Sequence, residues 1–555
     1  MHSAAKTCAH ALLAVLPAAL ALVYTGALEP AFSTPKNAIL TSVVALLTAL
    51  ALVSRMRWQP ARDERAFCWL AAALAASTLL SAATAANRWI TAASVTHTLC
   101  GPLLAASMLQ ILYGKAPEEN WRKIQRSIVL AGIVVALVTV AEFFLPPASG
   151  RMRLHSTLGN PDFVATWLAA TLPTALALAA RASRGRSIWL AAALLITLAA
   201  LLTGSRGAVL AMAAGLAVMA LCWLPRWRGR LAALAIVATL GLLACATALN
   251  PRTTQESLRG RLLIWQVTLS NGAAASPLGS GPGSFAHDYP VQLGHYFTPP
   301  GRASLLRFAR LERHAENDYV ELWHDTGWLG LAVFLVMLAA WLHLAWRKQQ
   351  AASNQDRALT IAAMATVAAL LAAALVDFPF HRAETWALLW LMLAAPLTQP
   401  APSATMPATR NWLRLAAALL IVAAGAAFTL VPLAASYQLA KGNTEEDANH
   451  LEAARDAYSA ALCWDHTSAD ANFNLTRVLA EMENYPAALE QAKHAAIYVD
   501  EPELYLLRAR ILANVGRPSE ARQQTRQALA RFPYADVLRQ ELRNSAPADD
   551  QPARH

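Results

Sequence analysis

The chain has 555 residues, 56% hydrophobic and only 15% charged, with a mean hydropathy of +0.35. Soluble domains carry about 25% charged residues, so an ordinary soluble enzyme is excluded. The net charge of +11 would suit a nucleic-acid partner only if it formed a patch, and it does not.

Apolar runs of about 20 residues, enough to cross a hydrocarbon core of about 30 Å, recur through the first three quarters. Spans are predicted near 9–27, 38–54, 67–86, 97–113, 127–145, 163–181, 187–203, 207–224, 231–249, 327–346, 358–376, 384–398 and 412–434. The first lacks a strongly basic flank and a cleavage site, so it reads as a retained helix and not a signal peptide. The expectation is an all-α polytopic bundle of about thirteen spans over residues 1–435.

Basic residues cluster at alternate connections: Arg55 to Arg65, Lys115 to Arg126, Arg181 to Arg186, Arg226 to Arg230, and Arg347 to Arg357. The positive-inside rule then places the N-terminus in the cytoplasm. The long connection 250–326 and the C-terminus fall on the opposite, extracytoplasmic side. That long connection balances seven arginines with seven carboxylates. A loop of this length inside a compact domain is functional or disordered, and its paired charges, aromatics and glycines favour function. The six scattered cysteines form no disulfide framework and no zinc pattern.

After the Pro- and Thr-rich stretch 400–409 and the last span, composition turns soluble. Ala454, Ala488 and Ala521 recur at a spacing of 34 and then 33 residues, the tetratricopeptide period with small residues where paired helices meet. Residues 436–540 are read as a short α-solenoid of such repeats, and 541–555 as a disordered tail. A module of this kind binds peptide or protein, so a protein partner is expected.

Four polar groups fall on the extracytoplasmic side. Arg151, Arg153 and His155 precede Gly159-Asn160-Pro161-Asp162. Thr203-Gly204-Ser205-Arg206-Gly207 makes a tight turn between spans. The long loop carries Arg259, Arg261, Gly279-Ser280-Gly281-Pro282-Gly283 and the run His314-Ala315-Glu316-Asn317-Asp318-Tyr319. Asp377-Phe378-Pro379-Phe380-His381-Arg382 joins two later spans. Arg206 at a hairpin mouth is tolerable if it snorkels to headgroups or meets an anion. Arg261 opens a short amphipathic stretch, Arg261 to Trp265, expected on the membrane surface, where its planar fork suits a lipid-linked phosphate or a headgroup. The glycine turn lacks the Lys-Ser/Thr of a P-loop and reads as structural. His314, Glu316, Asn317 and Asp318 could serve proton transfer or simple helix capping. No paired-His spacing supports a metal, and no cofactor is implied.

In order and spacing these motifs resemble the O-antigen ligase/polymerase superfamily over residues 10–435, and a C-terminal tetratricopeptide module is a familiar attachment there. The pieces are Gly159 to Asp162, Thr203 to Gly207, Arg261 to Trp265 with Pro277 to Phe285, Glu316 to Leu322 with Gly327 to Gly330, and Val376 to His381. The resemblance implies a metal-independent transferase. It would move a glycan from undecaprenyl diphosphate to lipid A–core, a growing glycan or a protein at the periplasmic face of a bacterial inner membrane, in contact with membrane lipids. It gives Arg206 and Arg261 the diphosphate, with Arg259, Asn160, Asn317 and His381 as further binding residues. Relatives carry His where this chain has Glu316, so His314 or Glu316 is the base, or catalysis is lost. The competing class is a non-enzymatic scaffold or transporter of surface polysaccharide. A transporter should carry charges at mid-span, and the spans are nearly free of them.

Overall fold

The computed structural model describes residues 2–53, 56–57, 60–85, 88–112, 117–145, 154–224, 227, 229, 231, 251–270, 276–352, 354–397, 404–405 and 411–545. Apart from a two-residue antiparallel bridge, Met56–Arg57 with Ala404–Thr405, the described chain is helical.

The N-terminal half supplies α1 (His2–Leu22), α2 (Ser33–Val53), α3 (Arg62–Thr84), α4 (Arg88–Leu112), α5 (Pro117–Phe144), α6 (Pro161–Arg181), α7 (Arg186–Leu202) and α8 (Arg206–Trp223). Then come α9 (Pro251–Leu269) and α10 (Phe285–Phe297), followed by α11 (Asp318–Ala351), α12 (Asn354–Ala373), α13 (Ala383–Ala394) and α14 (Asn411–Asp447). Among the described residues nine helices are long and apolar enough to cross a membrane, and three shorter apolar ones accompany them. These twelve coincide with twelve of the thirteen predicted spans. The other, 231–249, lies outside the described residues beyond Leu231, as do Arg151, Arg153 and the tail beyond 545.

The core is one continuous apolar cluster in which Trp121, Trp167, Trp341 and Trp390 are fully buried. α6 is central, packed on α5, α7, α8 and α12. Small residues permit the closest approaches. A Cβ on Gly425 of α14 would lie 2.3 Å from Ala45 of α2.

The segment expected as a polar loop is a folded cap. Leu263, Ile264 and Val267 of α9 bury against Phe285, Tyr289, Leu293 and Phe297 of α10, and Phe308 closes the cluster. The stretch Arg261 to Trp265 is therefore one part of a 19-residue helix with a buried face. Leu258, Leu262 and Leu269 remain exposed at helical spacing on it, so only that second face is available to a membrane surface.

The compositional boundary at 435 falls inside α14, which runs on unbroken to Asp447. Tyr458 bonds its later turns, through Asn443 at 2.9 Å and Glu446 at 2.6 Å. Beyond it α15 (Leu451–Trp464), α16 (Ala469–Glu481), α17 (Tyr485–Ala495), α18 (Pro502–Asn514), α19 (Pro518–Arg531) and α20 (Asp536–Asn544) pack on one another in chain order. Ala454, Ala488 and Ala521 are all buried in these contacts. The stack folds back on the cap: Tyr534 Oη donates to Pro290 O (3.2 Å), and Arg313 pairs with Asp470 (2.9 Å).

Candidate functional site

The glycine turn anchors the cap to the bundle. α11 is broken at Gly327 (φ 70°, ψ −177°), which frees the carbonyls of the preceding turn. Ser280 N–H donates to His324 O (2.8 Å), Gly281 N–H to Asp325 O (3.0 Å) and Gly283 N–H to the Asp325 carboxylate (2.6 Å). The turn is thus structural, as its sequence suggested. Gly279 has φ +69°, and a Cβ there would sit 2.5 Å from Gly327 N and His324 O. Gly279→Val should therefore cost about 2 kcal/mol or more, seen as a lower melting temperature of the detergent-solubilised protein. An unchanged melting temperature would remove the anchoring role.

Just before this break, α11 begins with Asn317 as N-cap, its side chain accepting from Tyr319 N–H and Val320 N–H and donating to Leu375 O. Asp318, Glu321 and Asp325 follow on one helical face, and all are buried. The spacing aims Asp318 and Glu321 at the turn before α13. His381 lies between them, with Nδ1 2.8 Å from Asp318 and Nε2 3.2 Å from Glu321. Phe380 N–H secures Asp318 (2.9 Å) and Ala315 N–H secures Glu321 (2.8 Å). The other Glu321 contact is His314 Nδ1 at 2.9 Å. Burial opposes a charge on His381, but Glu321 and Asp318 outweigh it and lift its pKa to about 10. A carboxylate only accepts, so the His314 Nδ1 carries the N–H that Glu321 receives. The His314 ring stacks on Phe378 at 4.2 Å.

Glu316, two residues on, has left-handed backbone (φ 53°), unusual for a non-glycine residue. Its carboxylate meets Arg261 at 3.1 Å. Burial raises the Glu316 pKa, Arg261 draws it down, and Asp377 and Glu312 add to the rise, leaving it at about 7.

Arg261 lines a cavity of about 720 Å³ at this end of the bundle, with Arg206, Asp162, His155, Asp377 and Glu142. The N-termini of α6 and α8 open onto it, so backbone partial charges add to the two guanidiniums. Two of its carboxylates are engaged: Glu142 accepts Ser156 N–H at 2.9 Å, and Asp377 pairs with buried Arg382 at 3.1 Å. Arg382 also lies 4.1 Å over the Phe163 ring.

The structure thus gathers Arg206 and Arg261 at one cavity, and His314 and His381 in one hydrogen-bonded chain. The remaining candidates lie differently. Asn160 and Asn317 serve as helix caps, Asn160 accepting Asp162 N–H at 2.9 Å. Arg259 lies 5.5 Å from the Phe308 ring and does not line the cavity. Glu321 was missed as a functional residue; the available signal was a carboxylate entering a span, where ionisable groups are costly. His314, Glu321 and His381 also place ligand atoms within 4.8 Å of one another, the described cluster best suited to a metal ion. A proton held on His381 competes for the same nitrogen.

Residues 190–335 match the family model described as O-antigen ligase, and residues 361–546 match that of the virulence factor membrane-bound polymerase, C-terminal. The chain belongs to the O-antigen ligase/polymerase superfamily. No curated protein is similar enough to match. The ligase match covers α8, the cap and the start of α11, so it contains Arg206, Arg261, His314 and Glu321. The polymerase match runs from α12 through the C-terminal stack, joining His381 to the helices that follow the last span. Membership in the O-antigen ligase/polymerase superfamily, with the apolar helices, makes this a multi-pass membrane protein and a glycan-transferring enzyme.

Proposed function

We propose that the protein is an inner-membrane transferase that moves a glycan from undecaprenyl diphosphate to a hydroxyl acceptor at the periplasmic face. The observation that carries the reading is the placement of Arg206 and Arg261 on one cavity beside the His314–Glu321–His381–Asp318 chain. In this reading the guanidiniums and helix N-termini hold the diphosphate and stabilise the charge it gains on leaving. His314 Nε2 takes the acceptor proton. Glu321 fixes the tautomer, and His381, held cationic, keeps Glu321 in place. The bond from the anomeric carbon to phosphate oxygen breaks as the bond to the acceptor oxygen forms. The electron pair leaves with undecaprenyl diphosphate, and the proton passes from His314 to water. No step calls for a metal, so chelation should leave transfer unchanged. The C-terminal stack, read as tetratricopeptide-like repeats, lies on the same side as the cap.

Glu316 takes the role of modulating Arg261. An ionised Glu316 competes with the diphosphate for that guanidinium, whereas a neutral one does not. Donor affinity should therefore weaken severalfold as pH rises through about 7. Glu316→Gln should bind tightly and without that dependence. The measurement is titration of glycan-linked donor, whose diphosphate has no group ionising in this range. A pH dependence that survives in Glu316→Gln would assign it elsewhere.

In cells, deletion of the gene should remove one class of surface glycan, restored by the wild-type gene and not by Arg206→Ala or His314→Ala. Full restoration by both variants would favour a scaffold.

A further inference from the structure

The last predicted span, 412–434, ends inside α14, so Phe428, Val431 and Leu433 mark the outer margin of the hydrocarbon layer. A space of about 390 Å³ is lined by these three residues, by Thr34 of α2, and by Asp465 and Thr467 of the turn between α15 and α16. That turn of the C-terminal stack therefore lies level with the end of a membrane span. Glu29 N–H donates to Ser436 Oγ (2.8 Å), which brings the connection between α1 and α2 to the same level. Tyr24 and Tyr437 are both exposed there, at the depth where aromatic rings settle against a membrane–water boundary.

Successive helices of the stack pack as antiparallel pairs joined by short turns, so alternate turns share an edge. The turns at 465–468 and 496–501 fall on the edge nearest the span, and the His466 and Tyr498 rings meet between them at 6.0 Å. This edge carries the two most exposed large apolar side chains of the stack, Trp464 at 52% and Ile497 at 57%. The opposite edge, at 447–451, 482–484 and 515–517, exposes Asp447, His450, Glu481, Glu483 and Arg517. Three carboxylates of the near edge are engaged within the protein. Asp465 accepts Thr467 N–H (3.0 Å) and its hydroxyl (2.7 Å), Asp470 pairs with Arg313 (2.9 Å), and Asp500 pairs with Arg531. Large apolar side chains beside neutralised charges suit a lipid headgroup layer better than open water.

We propose that this edge is a membrane-docking surface, with Trp464 and Ile497 seated in the headgroup layer of the leaflet on the cap side. The partner is lipid, and the module is held at two places. Its first two turns on this edge rest on the bilayer. The third, at 532–535, rests on the cap, where Tyr534 Oη donates to Pro290 O. The bilayer thereby fixes the stack against the cap, in which Asp470 of the same edge holds Arg313, the residue before His314.

The test places photoreactive benzoylphenylalanine at position 464, 497 or 515 of the full chain, reconstituted in phosphatidylethanolamine–phosphatidylglycerol vesicles. Illumination should give lipid adducts at 464 and 497 in severalfold higher yield than at 515, which lies on the far edge. Lipid adducts at none of the three positions, or in equal yield at all of them, overturn the docking. Adducts to a second copy of the chain in place of lipid overturn the partner class. A second measurement uses the native thiol beside this edge. Cys463 is exposed on the protein surface, and the bilayer should shield it from a water-soluble maleimide. Trp464→Gln combined with Ile497→Gln should therefore raise its alkylation rate severalfold in vesicles, read on the Cys463 peptide by mass spectrometry. The same rate in wild type and the double variant overturns the proposal.

Discussion

Replacing His314 with alanine should lower glycan transfer by about 10²–10⁴-fold, the range for removing a positioned general base, and leave donor binding intact. The split follows from placement: His314 lines one space, and the arginines line another. Its base strength depends on one tautomer, held by Glu321 at 2.9 Å. Glu321→Gln should therefore reproduce most of the defect, because an amide can donate where only an acceptor serves. If His314→Ala transfers normally, the base is another group, with Glu316 the first candidate to examine.

Arg206→Ala and Arg261→Ala should each reduce transfer by about 10²–10³-fold, the usual effect of removing one preorganised group from a developing anion. Unlike His314→Ala, both should also weaken donor binding, since the diphosphate is charged before and after transfer. Lysine should restore part of the affinity and little of the rate, because it lacks the planar two-pronged geometry. Direct titration with undecaprenyl diphosphate and single-turnover transfer separate the two effects. Normal donor affinity in both alanine variants would show that the cavity is not the diphosphate site.

Much of the fold was legible in the sequence because a membrane crossing demands a long apolar run with few charges, and twelve runs became apolar helices. The cap was harder to see. Leu263, Ile264 and Val267 and their partners Phe285, Tyr289 and Leu293 follow helical spacing, but the balanced charges between them dominated the reading. Asn160 and Asn317 looked like binding residues within motifs, although Asn before a helix is first a capping signal. The His314–His381 chain was hidden for another reason. Its members come from two connections far apart in sequence, and only the packing of α11 against the turn before α13 brings them together. Likewise the arginines were found by type and position, while the separation of their cavity from His314 is a property of three-dimensional packing.

The most direct measurement is single-turnover transfer from purified undecaprenyl-diphosphate-linked glycan, with wild type, Arg206→Ala and His314→Ala compared for bound donor and for product. The account predicts that wild type binds and transfers, Arg206→Ala binds poorly, and His314→Ala binds normally without transferring. Normal transfer by both variants, or an identical loss of donor binding in the two, would contradict it.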